Sequence, residues 1–332
     1  MKIIFNSMHC GLGNNGGSRT IVRSANTLVD LGHTVTIINT GKNQYTWDDL
    51  KAKHLIVKDY RNVPNADVII ATGFKTIKST VKVPKRCGIK VHWIRGYETW
   101  TMPEETIVNT VLKAPTIKIV NSIGLQKKLL SKGVESEIIR PGYDLNELTP
   151  DPNIVEEKGD IIILGGLYPH TKHLKIKRTS WVFQTHQKFR NEYKNLQLWM
   201  FGNDNIYNTS INNYVQRPSV EQKNNFYNHI DIWLSPGMQE GLHMPPAEAM
   251  LTACPVVGVS DELSGTEDYL VHKKTGLVAE SNFESFSTNV ETLIINEKLR
   301  KRLGKSARLK IRRLGDRKTN MKKMVEFFGK CL

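Results

Sequence analysis

Short apolar runs alternate with longer stretches of helical spacing along the first half of the chain. The first run, IIF at 3–5, leads into NSMHCGLGNNGGS, which is rich in glycine. RTIVRSANTLVDLG follows, with apolar residues at the spacing of a helix and a helix-stop glycine at Gly32. The later apolar runs are HTVTIINT, DVIIAT (67–72), KVHWIR (90–95), TIKIVNS (116–122) and SEIIRPG (136–142). Strands that alternate with helices predict a parallel α/β sheet.

The same alternation starts again in the second half, after a stretch rich in proline and acidic residues. That stretch, TPDPNIVEEKGD at 149–160, is typical of a linker. The apolar runs beyond it are DIIILGGL, LQLWMFGN, DIWLSPG, CPVVGVS and GLVAE. The pattern predicts two Rossmann-like domains, at 1–150 and 159–315, with residues 316–332 as a C-terminal helix. Because ligands bind beyond the carboxyl ends of parallel strands, we expect a site in a cleft between the two domains.

The chain is strongly basic, with 47 Lys and Arg residues against 32 Asp and Glu residues and a net charge of +15. No acidic residue occurs from Val68 to Tyr97, and cations accumulate there. The candidates for binding an anionic acceptor are Lys75, Lys78, Lys85, Arg86 and Arg95. A second run, KLRKRLGKSARLKIRRLGDRK at 298–318, is almost purely basic. Such surfaces attract polyanions, although the second run is equally consistent with an ordinary solvated surface.

Targeting, membrane and metal signals are weak in this sequence. The opening MKIIFNSMHC lacks the apolar core of a signal peptide, and no run reaches the roughly 18 residues of a membrane span. The four cysteines are scattered, without a CxxC pair or a zinc-like Cys/His cluster. These features predict a cytoplasmic protein with reduced cysteines and no bound metal.

GLGNNGG at 11–17 contains the G-x-G-x-x-G pattern between a predicted strand and a predicted helix. A nicotinamide site would also need an acidic residue about 20 positions later to hold the ribose. The strand HTVTIINTGKNQ ends without one, which weakens that reading. The glycines still allow the backbone to approach a phosphate or a sugar, and Ser18 is a candidate cap for the following helix.

EGLHMPPAEAM at 240–250 places two carboxylates around a proline pair. Glu240 is predicted to lie in a loop after the strand DIWL, whereas Pro245 begins a helix with Glu248 in or near its first turn. The helix dipole favours a carboxylate there, and carboxylate oxygens can accept hydrogen bonds from sugar hydroxyls. The alternative is that Glu248 only complements the dipole and Glu240 is solvated.

Five stretches resemble, in order, the motifs of family 4 retaining glycosyltransferases with the GT-B fold. They are GGSRTIVRSANTLVDLGHTVTIIN, IIRPGYDLNELTP, DIIILGGLYPHTKHLKIKRTSWVFQ, EGLHMPPAEAMLTACPVVGV and SGTEDYLVHKKTGLV. The resemblance covers nearly the whole chain. It implies two Rossmann-like domains facing across a cleft, with the C-terminal helix packing back towards the N-terminal domain. The N-terminal domain would supply the acceptor side, and the C-terminal domain would bind a nucleotide-sugar.

The resemblance also assigns roles to the site residues. Glu248 would hold the ribose of the donor, and Glu240 would contact the transferred sugar. The backbone of Met244 and Pro245 would lie against the donor phosphates. His92 matches a family histidine near the reacting centre, although a lone histidine at a strand end is often structural. Gly16 and Gly17 would let the first loop close over the sugar and phosphate.

The cation that neutralises the departing diphosphate is harder to assign. Gly166 stands where the family supplies an arginine. Lys177 is the best match for the family lysine, and its rivals are Lys172, Lys175 and Arg178. Arg217 is a further donor-binding candidate. A second departure is His243, at a position where the family usually has glycine.

The expected reaction is metal-independent retaining transfer from a UDP- or GDP-linked sugar. No D-x-D metal anchor occurs, and no carboxylate pair for double displacement is apparent. The departing phosphate oxygen would then help to deprotonate the acceptor hydroxyl on the same face.

The acceptor and the function class remain open at the level of sequence. The acceptor is expected to be a glycan or lipid at an anionic membrane surface, or DNA with hydroxymethylated bases as in phage DNA glycosyltransferases. The stretch HWIRGYETW (92–100) interleaves aromatic and basic residues in a way that suits DNA. The alternatives are a non-enzymatic nucleic-acid-binding protein and a nicotinamide-dependent oxidoreductase.

Overall fold

The computed structural model describes residues 1–41, 47–157, 159–206 and 209–332. By their contacts, these residues divide into two compact units. Unit 1 comprises 1–142 together with 316–332, and unit 2 comprises 143–315. Each unit contains one parallel sheet, so the prediction of two successive α/β domains is confirmed.

The sheet of unit 1 has the strand order β3-β2-β1-β4-β5-β6-β7, with every pairing parallel. Its strands are β1 (Lys2–Asn6), β2 (Thr34–Asn39), β3 (Lys53–Ile56), β4 (Val68–Ala71), β5 (Ile89–Ile94), β6 (Ile117–Val120) and β7 (Glu137–Ile138). Its first four helices are α1 (Gly16–Asp30), α2 (Ile77–Lys82), α3 (Glu104–Thr106), which continues as a π-helical turn at 107–112, and α4 (Ile123–Leu130). The edge strand β3 is absent from the sequence prediction.

The sheet of unit 2 has the order β10-β9-β8-β11-β12-β13 and is also entirely parallel. Its helices are α5 (Pro152–Glu157), α6 (Thr179–Phe189), α7 (Val220–His229), α8 (Met244–Leu251), α9 (Phe283–Ile295) and α10 (Glu297–Arg313). Its strands are β8 (Ile162–Tyr168), β9 (Leu196–Gly202), β10 (Asn213–Gln216), β11 (Ile232–Ser235), β12 (Val256–Val259) and β13 (Gly276–Ala279). Buried clusters cover both faces of this sheet.

The C-terminal helix α11 (Arg317–Cys331) completes the core of unit 1. Met321, Met324 and Phe328 are fully buried in the same cluster as Leu28 of α1 and Trp93 of β5. Burial of large apolar side chains of this kind contributes about 1.5–3 kcal/mol for each residue. The expectation that this helix packs with the N-terminal domain is confirmed.

The stretch 143–150, placed in the first domain from the sequence, belongs to unit 2 by its contacts. Tyr143 and Leu148 are buried in a cluster of that unit. The following linker-like stretch is also held there, because Asp151 N–H donates to Asn228 Oδ1 of α7 at 2.7 Å. A side chain of α7 therefore helps to order a segment whose composition is typical of a linker.

One face of the unit 1 sheet carries a buried polar row near the carboxyl ends of its strands. Register places Asn6, Ala71, His92 and Lys118 side by side on β1, β4, β5 and β6. Asn6 Nδ2 donates to Thr80 Oγ1 of α2 at 2.8 Å. The opposite face of the sheet is apolar.

The described helices include none that is both long and apolar enough to span a bilayer.

Candidate functional site

Glu240 lies in the loop between β11 and α8 and is buried, with 9% of its surface exposed. Its backbone N–H donates to the carbonyl of Leu263 at 2.7 Å, which ties this loop to the one after β12. Lys177 Nζ donates to Glu240 Oε1. The backbone N–H of Met238 donates to the carbonyl of Ile176 at 3.0 Å, and this bond holds the Lys177 loop in place. Glu240 thus lies in the loop predicted for it, and a cation and an imidazole enclose its carboxylate, which excludes the alternative of a solvated side chain.

His243 is the second partner of Glu240, with Nε2 at 3.3 Å from Glu240 Oε1. Its Nδ1 lies 3.1 Å from Ser235 Oγ at the end of β11. His243 precedes α8 with φ of 30° and ψ of 74°, a left-handed conformation that favours glycine. The related motif usually has glycine here, and this backbone conformation gives a physical reason for that preference. In this chain the imidazole fills space beside Glu240 that a glycine would leave open.

Burial and neighbouring charges have opposite effects on the pKa of Glu240. Burial alone would raise the pKa of Glu240, but its contacts with His243 and Lys177 outweigh that effect and lower the pKa. Burial lowers the pKa of His243 to about 4, despite the neighbouring carboxylate. At neutral pH the imidazole is therefore uncharged, and Lys177 supplies the positive charge that faces Glu240.

Gly265 and Gly237 make room for the Glu240 side chain. A Cβ on Gly265, which has a φ of 71°, would approach Glu240 Cβ to 2.6 Å. A Cβ on Gly237 would lie 3.1 Å from Glu240 Oε1. The SGTEDYLV and SPGMQEG stretches therefore meet at the Glu240 carboxylate, and neither position can carry a side chain without moving it.

Glu248 lies on α8 and is paired with α7. Lys223 Nζ lies 2.6 Å from Glu248 Oε2, and the Tyr227 hydroxyl donates to the same oxygen at 2.9 Å. Burial would raise the pKa of Glu248, but Lys223 and Tyr227 bring it below its ordinary value. Among the described residues, none hydrogen-bonds to the second oxygen, Oε1, which leaves that oxygen available to a ligand hydroxyl.

The start of α8 follows the proline pair, as predicted. Met244 is the first residue of the helix, and Pro245 and Pro246 occupy its first turn. Glu248 lies just beyond that turn, so its carboxylate is stabilised by Lys223 rather than mainly by the helix dipole. Because proline has no N–H, Met244 is the residue whose amide can meet an anion at this helix end.

Arg178 has a different environment from Lys177. Its guanidinium forms an ion pair with Asp261, donates to Ser281 Oγ at 2.7 Å and lies over the Trp181 ring at 4.5 Å. These contacts join α6 to the loops after β12 and β13. Arg178 thus holds these two loops together at the carboxyl edge of the sheet.

The remaining cations proposed for the diphosphate are more exposed. Lys172 and Lys175 lie on the surface of the loop before α6. Arg217 is exposed after β10, and its Nε donates to the carbonyl of Asn203 at 3.2 Å. Gly166 lies within β8, where a Cβ would be 3.1 Å from Val182 Cγ1. The family arginine is therefore replaced by a position packed against α6.

Gly16 and Gly17 are the first two residues of α1 rather than part of a free loop. Asn15 caps this helix, since its Oδ1 accepts from Ser18 N–H at 2.9 Å. The prediction that Ser18 is the cap is wrong, because the helix begins two residues earlier. A Cβ on Gly16 would meet no atom within 4 Å, which leaves open space for a ligand beside it.

Arg95 is engaged with the backbone of unit 1. Its two terminal nitrogens donate to the carbonyls of Gly17 and Thr72, each at 2.5 Å. Arg95 thereby fixes the start of α1 against the end of β4. The side chain is half-buried, and burial lowers its pKa to about 10. Its structural role differs from the predicted one of binding an acceptor.

Glu98 forms a charged group with Arg95 and Lys75 that sequence reasoning missed. Burial raises the pKa of Glu98, and Arg95 and Lys75 act against that rise. Burial also raises the pKa of the neighbouring Cys10 thiol. A Cβ on Gly73 would lie 3.8 Å from Cys10 Sγ and 3.9 Å from Glu98 Oε1. Glu98 directly follows the stretch that has no acidic residue, and that position is the one feature of the sequence that could have indicated its role.

The predicted acceptor cations do not form one group. Lys75 follows β4 and lies at the carboxyl edge of the unit 1 sheet, whereas Lys85 and Arg86 precede β5 at the opposite edge. The crossover through α2 separates them, because the chain must return along the sheet before the next parallel strand. Arg86 also donates to the carbonyls of Arg61 and Val63 at 3.0 Å. Lys78 is exposed on α2 between the two edges.

His92 is fully buried within β5, two residues before the end of the strand. Neither ring nitrogen hydrogen-bonds to any described residue, and Phe74 packs edge-on at 5.7 Å between ring centroids. Burial, with Lys118 and Arg95 nearby, lowers the pKa of His92 to about 3. His92 is thus a neutral imidazole with two unsatisfied ring nitrogens.

Comparison with known proteins shows that part of unit 2 is similar to glycosyltransferases. Residues 188–310, which include Glu240 and Glu248, match the family model described as glycosyl transferases group 1. The capsular polysaccharide biosynthesis glycosyltransferase CapM of Staphylococcus aureus is 28% identical over 109 residues. That segment is 32% of this chain and 28% of CapM.

Solved structures match over the whole length. Sucrose-phosphate synthase from Thermosynechococcus elongatus has a TM-score of 0.79 at 12% identity, covering 100% of this chain and 99% of that one. HepE from Anabaena, solved with UDP-glucose, also scores 0.79 at 12% identity, with 99% and 100% covered. A glycosyltransferase from Rickettsia africae scores 0.73 at 16% identity, with 99% and 98% covered.

Residues 188–310 are therefore similar to group 1 glycosyltransferases, and the whole chain shares the GT-B fold of these solved structures. Within the GT-B fold, the group 1 match includes α7, α8 and the Glu240 loop, whereas Lys177 lies just before it. The described residues contain no group of three or more His, Cys, Asp or Glu side chains arranged to hold a metal.

Proposed function

We propose that the chain is a glycosyltransferase that moves a sugar from a nucleotide-sugar donor to an acceptor hydroxyl. The observation that carries the proposal is the group of Glu240, Lys177 and His243 beside the start of α8, of which Glu240 and His243 lie within the segment that matches the group 1 model. An anchored carboxylate suits sugar hydroxyls, and an adjacent lysine suits a phosphate. A purely nucleic-acid-binding protein would have no use for this arrangement.

The donor is a UDP-linked sugar in this proposal, with a GDP-linked sugar as the alternative. HepE, which shares the fold, was solved with UDP-glucose. Glu248 holds the ribose through its second oxygen, while Lys223 and Tyr227 keep the carboxylate ionised and fixed. Met244 and Pro245 at the start of α8 lie against the phosphates.

Lys177 neutralises the departing diphosphate, with Lys172 as a second cation at the loop surface. Donor binding shifts Lys177 from Glu240 towards the phosphate, and Glu240 then accepts from the sugar hydroxyls. Arg178 and Arg217 shape this side of the site through their loops. Stabilising leaving-group charge in this way is worth about 2.7–4 kcal/mol for one well-placed donor.

Transfer proceeds with retention in this proposal and without a metal ion. The carboxylate nearest the sugar, Glu240, keeps His243 as a neighbour and accepts from the sugar hydroxyls once the donor is bound, which makes it a poor nucleophile for double displacement. The departing phosphate oxygen then takes the proton of the acceptor hydroxyl. In this proposal His92 acts near the transferred sugar, and Gly16 and Gly17 at the start of α1 let the backbone approach the sugar and phosphate of the donor.

The acceptor is a glycan or lipid at an anionic cytoplasmic membrane surface. On α10 the exposed residues from 298 onwards are six cations and one leucine: Lys298, Lys301, Arg302, Lys305, Leu309, Arg312 and Arg313. Ile295, just before this helix, is 68% exposed. Cations with exposed aliphatic side chains suit an anionic membrane surface.

DNA with hydroxymethylated bases is the second candidate acceptor. Trp100 is 43% exposed and follows the charged group of Lys75, Arg95 and Glu98. Exposed aromatic rings next to cations are suited to stacking on extruded bases.

The experiment is calorimetric titration of the protein with a panel of UDP- and GDP-linked sugars. We expect one donor to bind and the Lys177→Met variant to bind it more weakly, while Lys175→Met, on the same loop, binds normally. Failure of every donor to bind would overturn the proposal. With the donor known, transfer to membrane glycolipids and to hydroxymethylated DNA decides the acceptor, and glycan product from neither would remove both candidates.

A further inference from the structure

Unit 2 contains a cavity at its sheet edge that the donor residues do not use. The cavity has a volume of about 410 Å³, within the range of about 300–1,000 Å³ that is usual for small-ligand sites. It lies between α7 and the two outer strands, β9 and β10. Trp199, Val215 and Phe226 supply its apolar lining, and Asn213, Glu221 and Asn225 supply polar groups.

Helix α7 separates this cavity from the candidate donor residues. Lys223 and Tyr227, one turn apart, face Glu248. Glu221 and Asn225, four positions apart, line the cavity from the other side of the same helix. Residues three and four positions apart share a helix face, so this division follows from the register of α7. The cavity is therefore a different site from the one that contains Glu248.

The charge of the cavity is unusual for this chain. The protein carries +15 overall, yet the cavity is lined by no Lys, Arg or His and by one carboxylate, that of Glu221. A phosphate or another anion would find no counter-charge there and would meet Glu221. The ligand class is therefore uncharged.

The polar groups of the lining are available to a ligand. Among the described residues, the side chains of Asn213, Glu221 and Asn225 have no hydrogen-bond or ion-pair partner. Trp199 Nε1 already donates to Gln197 Oε1 at 2.8 Å, and the His229 ring stacks on this tryptophan at 5.0 Å between ring centroids, so Trp199 offers the rest of its ring surface rather than its N–H. Amide and carboxylate groups around an aromatic surface match a molecule with many hydroxyls and apolar C–H faces.

We propose that this cavity binds a neutral saccharide of one or two residues. Its amides donate to and accept from ring hydroxyls, Glu221 accepts from two adjacent hydroxyls, and the sugar face packs on Trp199. The site would hold a non-reacting part of a glycan at a distance from the transfer centre. The proposal concerns binding alone and requires no turnover.

The test uses saturation-transfer NMR with neutral disaccharides, including maltose, cellobiose, lactose and diacetylchitobiose, on the full chain. We expect at least one to bind, and we expect Asn225→Ala and Glu221→Gln each to weaken it about tenfold, the effect of losing about 1.4 kcal/mol. Gln187→Ala, an exposed amide on α6, is the matched control and should bind normally. Trp199→Phe tests the stacking surface with a smaller ring.

Competition with UDP distinguishes this site from the donor site. We expect saccharide binding to continue when UDP is saturating. The proposal would be overturned by binding that UDP displaces, by binding that both cavity variants leave unchanged, by binding of nucleosides but no saccharide, or by no binding of any probe. None of these results would by itself contradict donor binding at Glu248, and failure of every donor would leave saccharide binding at the cavity intact.

Discussion

The Lys177–Glu240 contact links a buried carboxylate to a partly exposed cation, with side-chain exposures of 9% and 23%. A buried charge that loses its partner costs several kcal/mol, so Glu240 needs either Lys177 or a set of ligand hydroxyls. Glu248 is held in the same way by Lys223 and Tyr227. At the residue scale, the two carboxylates are each fixed before a donor arrives, but by different neighbours.

Substitution of the two glutamates should therefore change different kinetic constants. Glu248→Ala should chiefly raise the KM for the donor, because it removes a ribose contact made equally in the ground and transition states. Glu240→Ala should chiefly lower kcat, by about 100-fold or more, because it disturbs the cation that stabilises the leaving group. Steady-state kinetics with the donor found by calorimetry measures both.

Glu240→Gln keeps the size of the side chain and serves as the packing control. Unchanged kinetics in both alanine variants would remove these residues from the site.

His243 provides a test of backbone conformation. His243→Ala and His243→Gly lose the same contacts to Ser235 and Glu240, but alanine keeps the cost of a left-handed φ. We expect the glycine variant to be about 1 kcal/mol more stable than the alanine variant in urea unfolding. Equal stabilities would show that the φ of 30° is not maintained in solution.

At the scale of elements, the start of α1 combines an N-cap residue, two glycines and an arginine that donates to backbone carbonyls. Asn15 caps the helix, and Arg95 holds the carbonyl of Gly17 against the end of β4. The carbonyl contacts are made by backbone atoms, so they do not themselves require glycine at 16. The open space beside Gly16 suggests that a ligand requires it.

Gly16→Ala separates folding from ligand approach. Because no atom lies within 4 Å of an added Cβ, and because alanine favours helix by about 0.5–1 kcal/mol over glycine, stability should be unchanged or slightly higher. Transfer activity should nevertheless fall. Thermal unfolding and activity measured on the same sample test this, and full activity would exclude close ligand approach at Gly16.

The sequence predicted the buried strands correctly, but it did not predict the features that depend on tertiary contacts. Runs such as VIIA and VVGV are buried throughout and could be predicted as strands. The edge strands KHLI and NYVQ are half-exposed and mixed in polarity, so β3 and β10 were missed. The proline pair correctly indicated the start of α8. The partnerships of Glu248 with Lys223 and of Arg178 with Asp261 bring together distant positions, and no local pattern encodes them.

At the scale of the whole molecule, each unit contains a buried histidine whose pKa is strongly lowered by burial. His92 in unit 1 and His243 in unit 2 have a pKa of about 3 and about 4, because burial disfavours the charged form. Lys118 and Arg95 face His92, and Lys177 faces His243, which adds to the effect. Mild acid should therefore lower the stability of both units.

Acidification from pH 7 to pH 5 should reduce the free energy of unfolding by about 2 kcal/mol for each histidine. The unfolded chain takes up protons below a pKa of about 6.5, whereas the folded chain does not until about 4 or 3. This contribution to stability is complete above about pH 6.5 and is lost as the pH falls towards the folded values. Urea titrations across this range measure it.

His92→Phe should remove the part of the pH dependence of the free energy of unfolding that comes from unit 1. A free energy of unfolding that is constant between pH 7 and pH 5 would contradict the assignment of neutral, buried imidazoles.

The membership of α11 in the first core sets an order for biosynthesis. Unit 2 is a continuous segment, so it can reach its final packing as soon as its own residues have left the ribosome. Unit 1 must wait, with Trp93 and its neighbours incompletely covered, until Met321, Met324 and Phe328 have been translated. Unit 1 begins first along the polypeptide and is thus the last unit to complete its fold. A premature stop before residue 317 would disrupt the fold of unit 1 and leave that of unit 2 intact.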